Sequence, residues 1–312
     1  GLEFNLPKLR SMRTLVFGLG LSQVLLTVLG TLAGHGLLVL SYQWLTGDRW
    51  EMSWPGAIVL GSAMAMSSTA ILVKLMAERL ELDSEHGKRV MGILLFQDLA
   101  VVPLLVLIPA LGRADGDLAL PLGLAVLKAA VLLTLLLVGG QRVMRWWLTL
   151  VARRKSEELF MLNLLLITLG LAWLTEHAGL SLALGAFVAG MLVAETEYKH
   201  QVETDIRPFH DVLLGLFFIT IGMKLDWRPV MEQWLLVLLL TTLPVLAKFA
   251  LIAALARLFR AQPGTALRTG LYLAQAGEFG FVLLTLGADH GLVAPQWMSP
   301  VLASMVLSML AT

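Results

Sequence analysis

The sequence has no cysteine, so disulfides, thiolate metal sites and thiol catalysis are all excluded. Charge is scarce too: 14% of the 312 residues are charged and the net charge is +1, where a soluble domain carries roughly a quarter charged residues. A polar-surfaced globule is therefore ruled out. No Lys/Arg run has aromatics interleaved for stacking, which leaves nucleic-acid binding without support. There is no HExxH pair, no GxSxG serine and no pair of intramembrane aspartates, so an intramembrane enzyme would have nucleophiles without a base.

What is present is apolar sequence, 58% of the chain. Runs near the roughly 20 residues that a helix needs to cross hydrocarbon recur at about 14–45, 54–76, 89–111, 118–140, 158–176, 179–195, 211–226, 233–258, 266–288 and 297–312. Backbone groups in lipid must be satisfied within the segment, and the alternation of a barrel strand is missing. The expected fold is all-α: a polytopic transmembrane helix bundle of about ten spans. Lys and Arg fall sixteen to four between alternate connections, which puts the even-numbered connections and both ends on the cytoplasmic side. The chain opens at Gly1 and stops at Thr312 inside an apolar run, so it is expected to be a fragment.

An ionisable group at bilayer depth costs roughly 2.5–3.5 kcal/mol on insertion scales. Asp98, Lys248 and Glu278 lie at that depth, whereas Lys74 and Lys128 are near enough to segment ends to snorkel. One buried pair would be structural; three such groups favour an ion or proton pathway. Pro103 and Pro244 free the carbonyls of Leu99 and Leu240, either as cation ligands or simply as helix kinks. Gln97 adjoins Asp98, about 100° away on a helix, so both reach one site only at the seam between them. Polar knots interrupt two spans, at Ser67, Ser68 and Thr69 and again at Gln275, Gly277, Glu278 and Gly280. Such breaks suit an inverted-repeat transporter with its site at the midplane, although back-bonding to the preceding turn or close helix packing would also produce them. Ser68 precedes Asp98 by thirty residues and Glu278 precedes Ser308 by thirty, as if polar span and following span were repeated. The sixth connection, YKHQVETDIRPFHD, carries both signs and reads as a solvated loop or a docking surface.

At LLFQDLAVVP, AMSSTAI, GLSLALGAFVAGMLVAETEYKHQVETDIRPF, LLGLFFITIGM and AQAGEFGFVL the chain resembles the membrane domain of Kef-type, glutathione-gated potassium efflux systems, in the second monovalent cation:proton antiporter family. The resemblance covers essentially the whole chain and implies a sodium/proton-antiporter-like inverted repeat with two crossing discontinuous helices, 54–76 and 266–288. It implies a first core unit at 54–112, a second at 233–312 and a regulatory-type cytoplasmic loop at 196–210. About three N-terminal spans and a C-terminal cytoplasmic regulatory domain would lie outside the chain. Asp98 matches the family's ion-binding aspartate, and Gln97 the position of a second aspartate in electrogenic relatives. Lys248 matches the core lysine thought to pair with that aspartate. Ser67, Ser68, Thr69, Gln275 and Glu278 complete the expected ion and proton site. His200, Glu203, Asp205 and Arg207 make the regulatory loop, Arg207 standing where an acidic residue is usual.

The implied activity is potassium:proton antiport, with potassium or sodium carried at Asp98; a sodium:proton antiporter and a ligand-gated, channel-like efflux pathway are the alternatives. The implied setting is a bacterial cytoplasmic (inner) membrane, multi-pass. The implied partners are lipid, a second copy in a homodimer, the same chain's regulatory domain and an ancillary subunit. No cofactor is expected on these residues, since nucleotide and glutathione would bind the regulatory domain.

Overall fold

A computed structural model describes residues 11–46, 52–112 and 119–311. All regular structure among them is helical. A π-helical stretch, Thr14–Gly20, leads into α1 (Leu21–Thr46); α2 (Trp54–Ala65), α3 (Thr69–Glu78) and α4 (Glu85–Gly112) follow, then α5 (Ala119–Ala152), α6 (Glu157–His177), α7 (Leu182–Ala194) and α8 (Lys199–Lys224). The short α9 (Trp227–Glu232) precedes α10 (Trp234–Leu258), α11 (Pro263–Leu273), α12 (Glu278–Asp289) and α13 (Pro295–Leu310).

Each of the ten apolar runs forms helix, but the count of ten spans is not borne out. Among the described residues, five helices are long and apolar enough to cross a membrane, or up to seven if each of two bent pairs is one span. Two runs fall outside that count for their length: α7 has 13 residues and α13 has 16, short of the roughly 20 that hydrocarbon requires; α5, with 34 residues, is long enough but many of its side chains lie outside the described residues. The segment expected as a loop at 196–210 is helical from Lys199, and α8 bends by 42° near His210. Lys8, Arg10, Arg49, Arg113 and the side chain of Lys128, all used in the sequence reading, lie outside the described residues.

Serines start several helices. Ser53, Ser68, Ser156 and Ser181 stand immediately before α2, α3, α6 and α7, and each hydroxyl accepts the backbone N–H three residues on. That satisfies one of the orphan amides at a helix start, which matters more where no water is available to do so.

The chain divides into two compact units. One comprises 105–220, with α5, α6, α7 and most of α8; the other comprises 9–104 with 221–312. In the first, α6 leaves Leu162 63%, Leu166 61% and Leu169 66% exposed, an apolar surface suited to lipid and too large for water. In the second, Leu19, Leu72, Met76, Ile93, Ile252 and Leu273 form a buried cluster joining α3, α4, α10 and α11 to the π-helical stretch. Lipid tails are as apolar as leucine, so this cluster is held by close packing and not by exclusion of water. The turn after α3 is also tied to α11, because the Tyr272 hydroxyl donates to Glu81 Oε2 at 2.5 Å and the buried His86 ring stacks on Tyr272 while meeting Glu81 at 3.1 Å.

Candidate ion-exchange site

Both polar knots interrupt their helices. The first break is Met66–Ser68, extended backbone between α2 and α3 with ψ 145° at Met66 and 109° at Ser68. The second is Ala274–Gly277, across which α11 and α12 bend by 46°. They cross in backbone contact: a Cβ on Gly277 would lie 2.4 Å from Ser67 C and 2.5 Å from Ser67 O. No side chain fits there, which accounts for the glycine.

Three elements clamp the crossing. Lys248 of α10 is 5% exposed, and its ammonium donates to Met66 O at 2.7 Å, Ser67 Oγ at 2.9 Å and Gln275 O at 2.9 Å. Its three protons thus meet three oxygens, two of them backbone carbonyls, one from each break. Gln97 of α4, 1% exposed, accepts the Ser67 N–H at 2.8 Å and donates to Ser67 Oγ at 3.3 Å. The Ser67 hydroxyl itself donates to Leu273 O, the last residue of α11, at 2.9 Å.

Asp98 is half-buried and accepts from the Thr69 hydroxyl at 3.3 Å. Gln97 and Asp98 therefore both reach the first break, placing it at the seam that their 100° separation demands. Ser68 acts locally as the α3 cap. In the second break, the Gln275 side-chain amide is 2% exposed and has no hydrogen-bond partner among the described residues, and Glu278 Oε2 is likewise buried without one. The Ala276 N–H donates to Ser308 Oγ at 3.1 Å. This mirrors the Ser67–Gln97 bond: in each half, a side chain about thirty residues downstream satisfies an amide freed by the break.

Beside Lys248 lies a cavity of about 20 Å³ bordered by Leu240, Pro244, Ala276, Ser304 and Ser308, room for one water molecule. Pro244 has no N–H to give the Leu240 carbonyl, and both residues border the cavity. In the other unit, Glu203 lies 3.7 Å from Lys199 and 3.4 Å from His200. Asp205 Oδ2 there is buried without a partner among the described residues, and Arg207 is exposed.

Sequence reading missed Gln23. It is fully buried in α1, accepts from Gln97 Nε2 at 2.8 Å and donates to Ala65 O at 3.1 Å. A lone amide in the apolar run LSQVLL was the available signal.

The charges follow the half-helix dipoles. A helix end carries about half an elementary charge, positive at its N-terminus and negative at its C-terminus. Lys248 sits at the C-terminal ends of α2 and α11, Asp98 touches the first residue of α3, and Glu278 is the first residue of α12. A cation thus faces two negative ends and a carboxylate stands at each positive one. Such an arrangement holds charge at depth, with Asp98 and Glu278 of intermediate exposure where Lys248 is enclosed.

The family model described as "Sodium/hydrogen exchanger, transmembrane" matches residues 1–312. The chain is similar to K(+) efflux antiporter 1, chloroplastic, of Arabidopsis thaliana, with 40% identity over 319 residues that cover 100% of this chain and 26% of the relative. K(+) efflux antiporter 2, chloroplastic, of the same organism matches to the same extent. Putative K(+) efflux antiporter KefB of Alkalimonas amylolytica is 40% identical over 311 residues, 99% of this chain and 45% of the relative. The chain thus spans between about a quarter and under half the length of these relatives. With a match from the first residue to the last and two broken helices crossing in its core, this multi-pass membrane chain belongs to the transmembrane sodium/hydrogen exchanger family.

Proposed function

We propose that the chain is the ion-exchange part of a potassium:proton antiporter, a secondary active transporter in which Asp98 alternately holds a cation and a proton. The observation that carries this reading is the crossing itself: a carboxylate of intermediate exposure on the first break, beside a lysine whose three protons are already engaged. A carboxylate in low dielectric favours its protonated form, and a nearby cation favours the ionised one, so the two ligands compete. Competition for one site couples their movements. Potassium as the cargo is supported by the names of the relatives, which are K(+) efflux antiporters; the family description supports sodium as the second reading.

Residues 54–112 and 233–312 would form the moving core. The segment at 196–210 would be the contact for a cytoplasmic regulatory domain, where nucleotide and glutathione would act. The charge asymmetry of the connections supports a bacterial cytoplasmic membrane with both ends of the chain inside, and the exposed leucines of α6 are available to lipid, a second copy or an ancillary subunit.

The test uses the full-length protein in proteoliposomes containing a pH-sensitive dye. Potassium should dequench the dye more than sodium, and Asp98→Asn should abolish the response. Retained proton-coupled cation flux in Asp98→Asn would overturn the assignment of Asp98, and a preference for sodium would overturn potassium.

A further inference from the structure

We propose that the end of α5 is a binding site for an anionic phospholipid headgroup, distinct from the ion-exchange site. At 34 residues, α5 measures about 51 Å at 1.5 Å per residue, some 20 Å more than the hydrocarbon it crosses. The apolar run ends near residue 140, so 141–153 emerges at headgroup depth, in the connection that carries five basic residues and is assigned to the cytoplasmic side.

At helical spacing, Arg142, Arg145, Thr149 and Arg153 fall within about 80° of one face. That face is open: all three arginines are exposed, and the four residues line one concavity of about 530 Å³ together with Gln141, Trp146 and Leu150. The opposite face is closed, since Met144 (6% exposed), Leu148 and Val151 are buried and Gly140 packs on Leu192 of α7. The stripe is thus held outward by its own helix. Among the described residues none of the three arginines has an ion pair. Beside them Trp146 is 62% exposed, and Trp147 is anchored by its indole N–H to Asn163 Oδ1 at 3.0 Å.

Arginines with planar donor forks suit a phosphodiester, and an exposed indole at the interface gives the glycerol and upper acyl chain an apolar wall. Three like charges without a counterion require negative charge from elsewhere, and at this depth the bilayer supplies it. Zwitterionic lipid carries the same phosphate with a compensating cation, so selection should favour net-anionic headgroups.

The test is native mass spectrometry of the full-length protein with an equimolar mixture of phosphatidylglycerol and phosphatidylcholine. The wild type should retain phosphatidylglycerol with a preference of about tenfold. Arg142→Gln/Arg145→Gln should bring the preference close to parity. Arg154→Gln/Lys155→Gln, which removes the same charge from positions off the stripe, should leave it nearly unchanged, and the Lys replacements at 142 and 145 should retain part of it even if the Gln pair folds poorly. Equal losses from both Gln pairs would show a generic charge effect and overturn the site. So would undiminished preference in the first pair, or displacement of the lipid by millimolar inorganic phosphate, which would reassign the stripe to a soluble anion.

Discussion

Replacing Gly277 by alanine tests whether the two breaks cross in backbone contact. The added Cβ would stand 2.4 Å from Ser67 C, 2.5 Å from Ser67 O and 2.8 Å from Ser68 N, against the roughly 3.5 Å at which carbon atoms rest. One break must therefore move by about 1 Å. Ser67 cannot yield freely, being pinned at 2.8 Å by Gln97 and at 2.9 Å by both Lys248 and Leu273 O. A shift of about 1 Å takes such bonds outside hydrogen-bonding range. Losing two neutral bonds at about 1 kcal/mol each and one lysine bond at about 1.5–3 kcal/mol totals about 3.5–5 kcal/mol, above the roughly 1–3 kcal/mol typical of overpacking. Because some bonds re-form after relaxation, Gly277→Ala should lose at least about 3 kcal/mol by this arithmetic. The assay is the melting midpoint of the detergent-solubilised protein by size-exclusion fluorescence, paired with exchange in proteoliposomes at a temperature where the variant is still folded; flux should fall at least about tenfold. Gly34→Ala is the control, since a Cβ there meets nothing within 4 Å, and it should leave both readouts near wild type. A Gly277→Ala protein with wild-type midpoint and flux would refute the contact and the clamp built on it.

Lys248→Met should destabilise the protein by about 1–6 kcal/mol: three charged hydrogen bonds are lost at about 1.5–3 kcal/mol each, offset by the roughly 2.5–3.5 kcal/mol no longer needed to bury an ammonium. A midpoint unchanged from wild type would show that the lysine does not hold the breaks together, and unchanged pH dependence of exchange would show that it has no part in proton coupling. Outside the membrane-spanning segments, the Tyr272 hydroxyl, then His86 and Arg268, hold the Glu81 carboxyl below its ordinary range. A carboxyl lowered in the folded state contributes stability above its unfolded value and loses it as pH falls through the lower, folded value. The melting midpoint of wild type should therefore drop more steeply than that of Glu81→Gln below about pH 4, by a modest amount because the carboxylate is partly exposed; parallel acid limbs would refute it.

Much of this was legible in the sequence because lipid simplifies the reading. Apolar runs mark helices where no other backbone arrangement is satisfied, and polar residues inside them are conspicuous. Ser67, Gln97, Asp98, Lys248 and Glu278 were each visible for that reason, and the thirty-residue spacing of Ser68 and Asp98 and of Glu278 and Ser308 suggested a repeat without naming the bonded pairs, Ser67 with Gln97 and Ala276 with Ser308. What hydropathy does not encode is the partner. Lys248 reads from sequence as a counter-ion for a carboxylate, yet its protons lie on Met66 O, Ser67 Oγ and Gln275 O, two of which are backbone atoms common to every residue. Gln23 has the same difficulty, because one of its partners is the Ala65 carbonyl. The span count differs for another reason. Hydropathy registers that 179–195 is apolar but not that the helix begins only at Leu182, since that start is set by the Ser181 cap inside the apolar run.

The half-helix charges bear on stoichiometry. Lys248 neutralises the C-terminal ends of α2 and α11 through bonds that do not involve the Asp98 carboxylate, so its charge does not have to leave when Asp98 changes ligand. Under the proposed function, a proton on Asp98 and a monovalent cation on Asp98 each cancel one negative charge, and the core crosses the low-dielectric interior carrying the same net charge in both forms. An empty, ionised Asp98 would carry one more negative charge through the interior than either liganded form, which raises the cost of crossing without a ligand. With Asp98 as the exchanging carboxylate of the proposed function, one cation moves for one proton: Gln97, where a second acid would change the count, is neutral and already bonded to Ser67 and Gln23. Gln97→Asp would add that second acid at the break, and exchange by that variant should become sensitive to membrane voltage where the wild type is not.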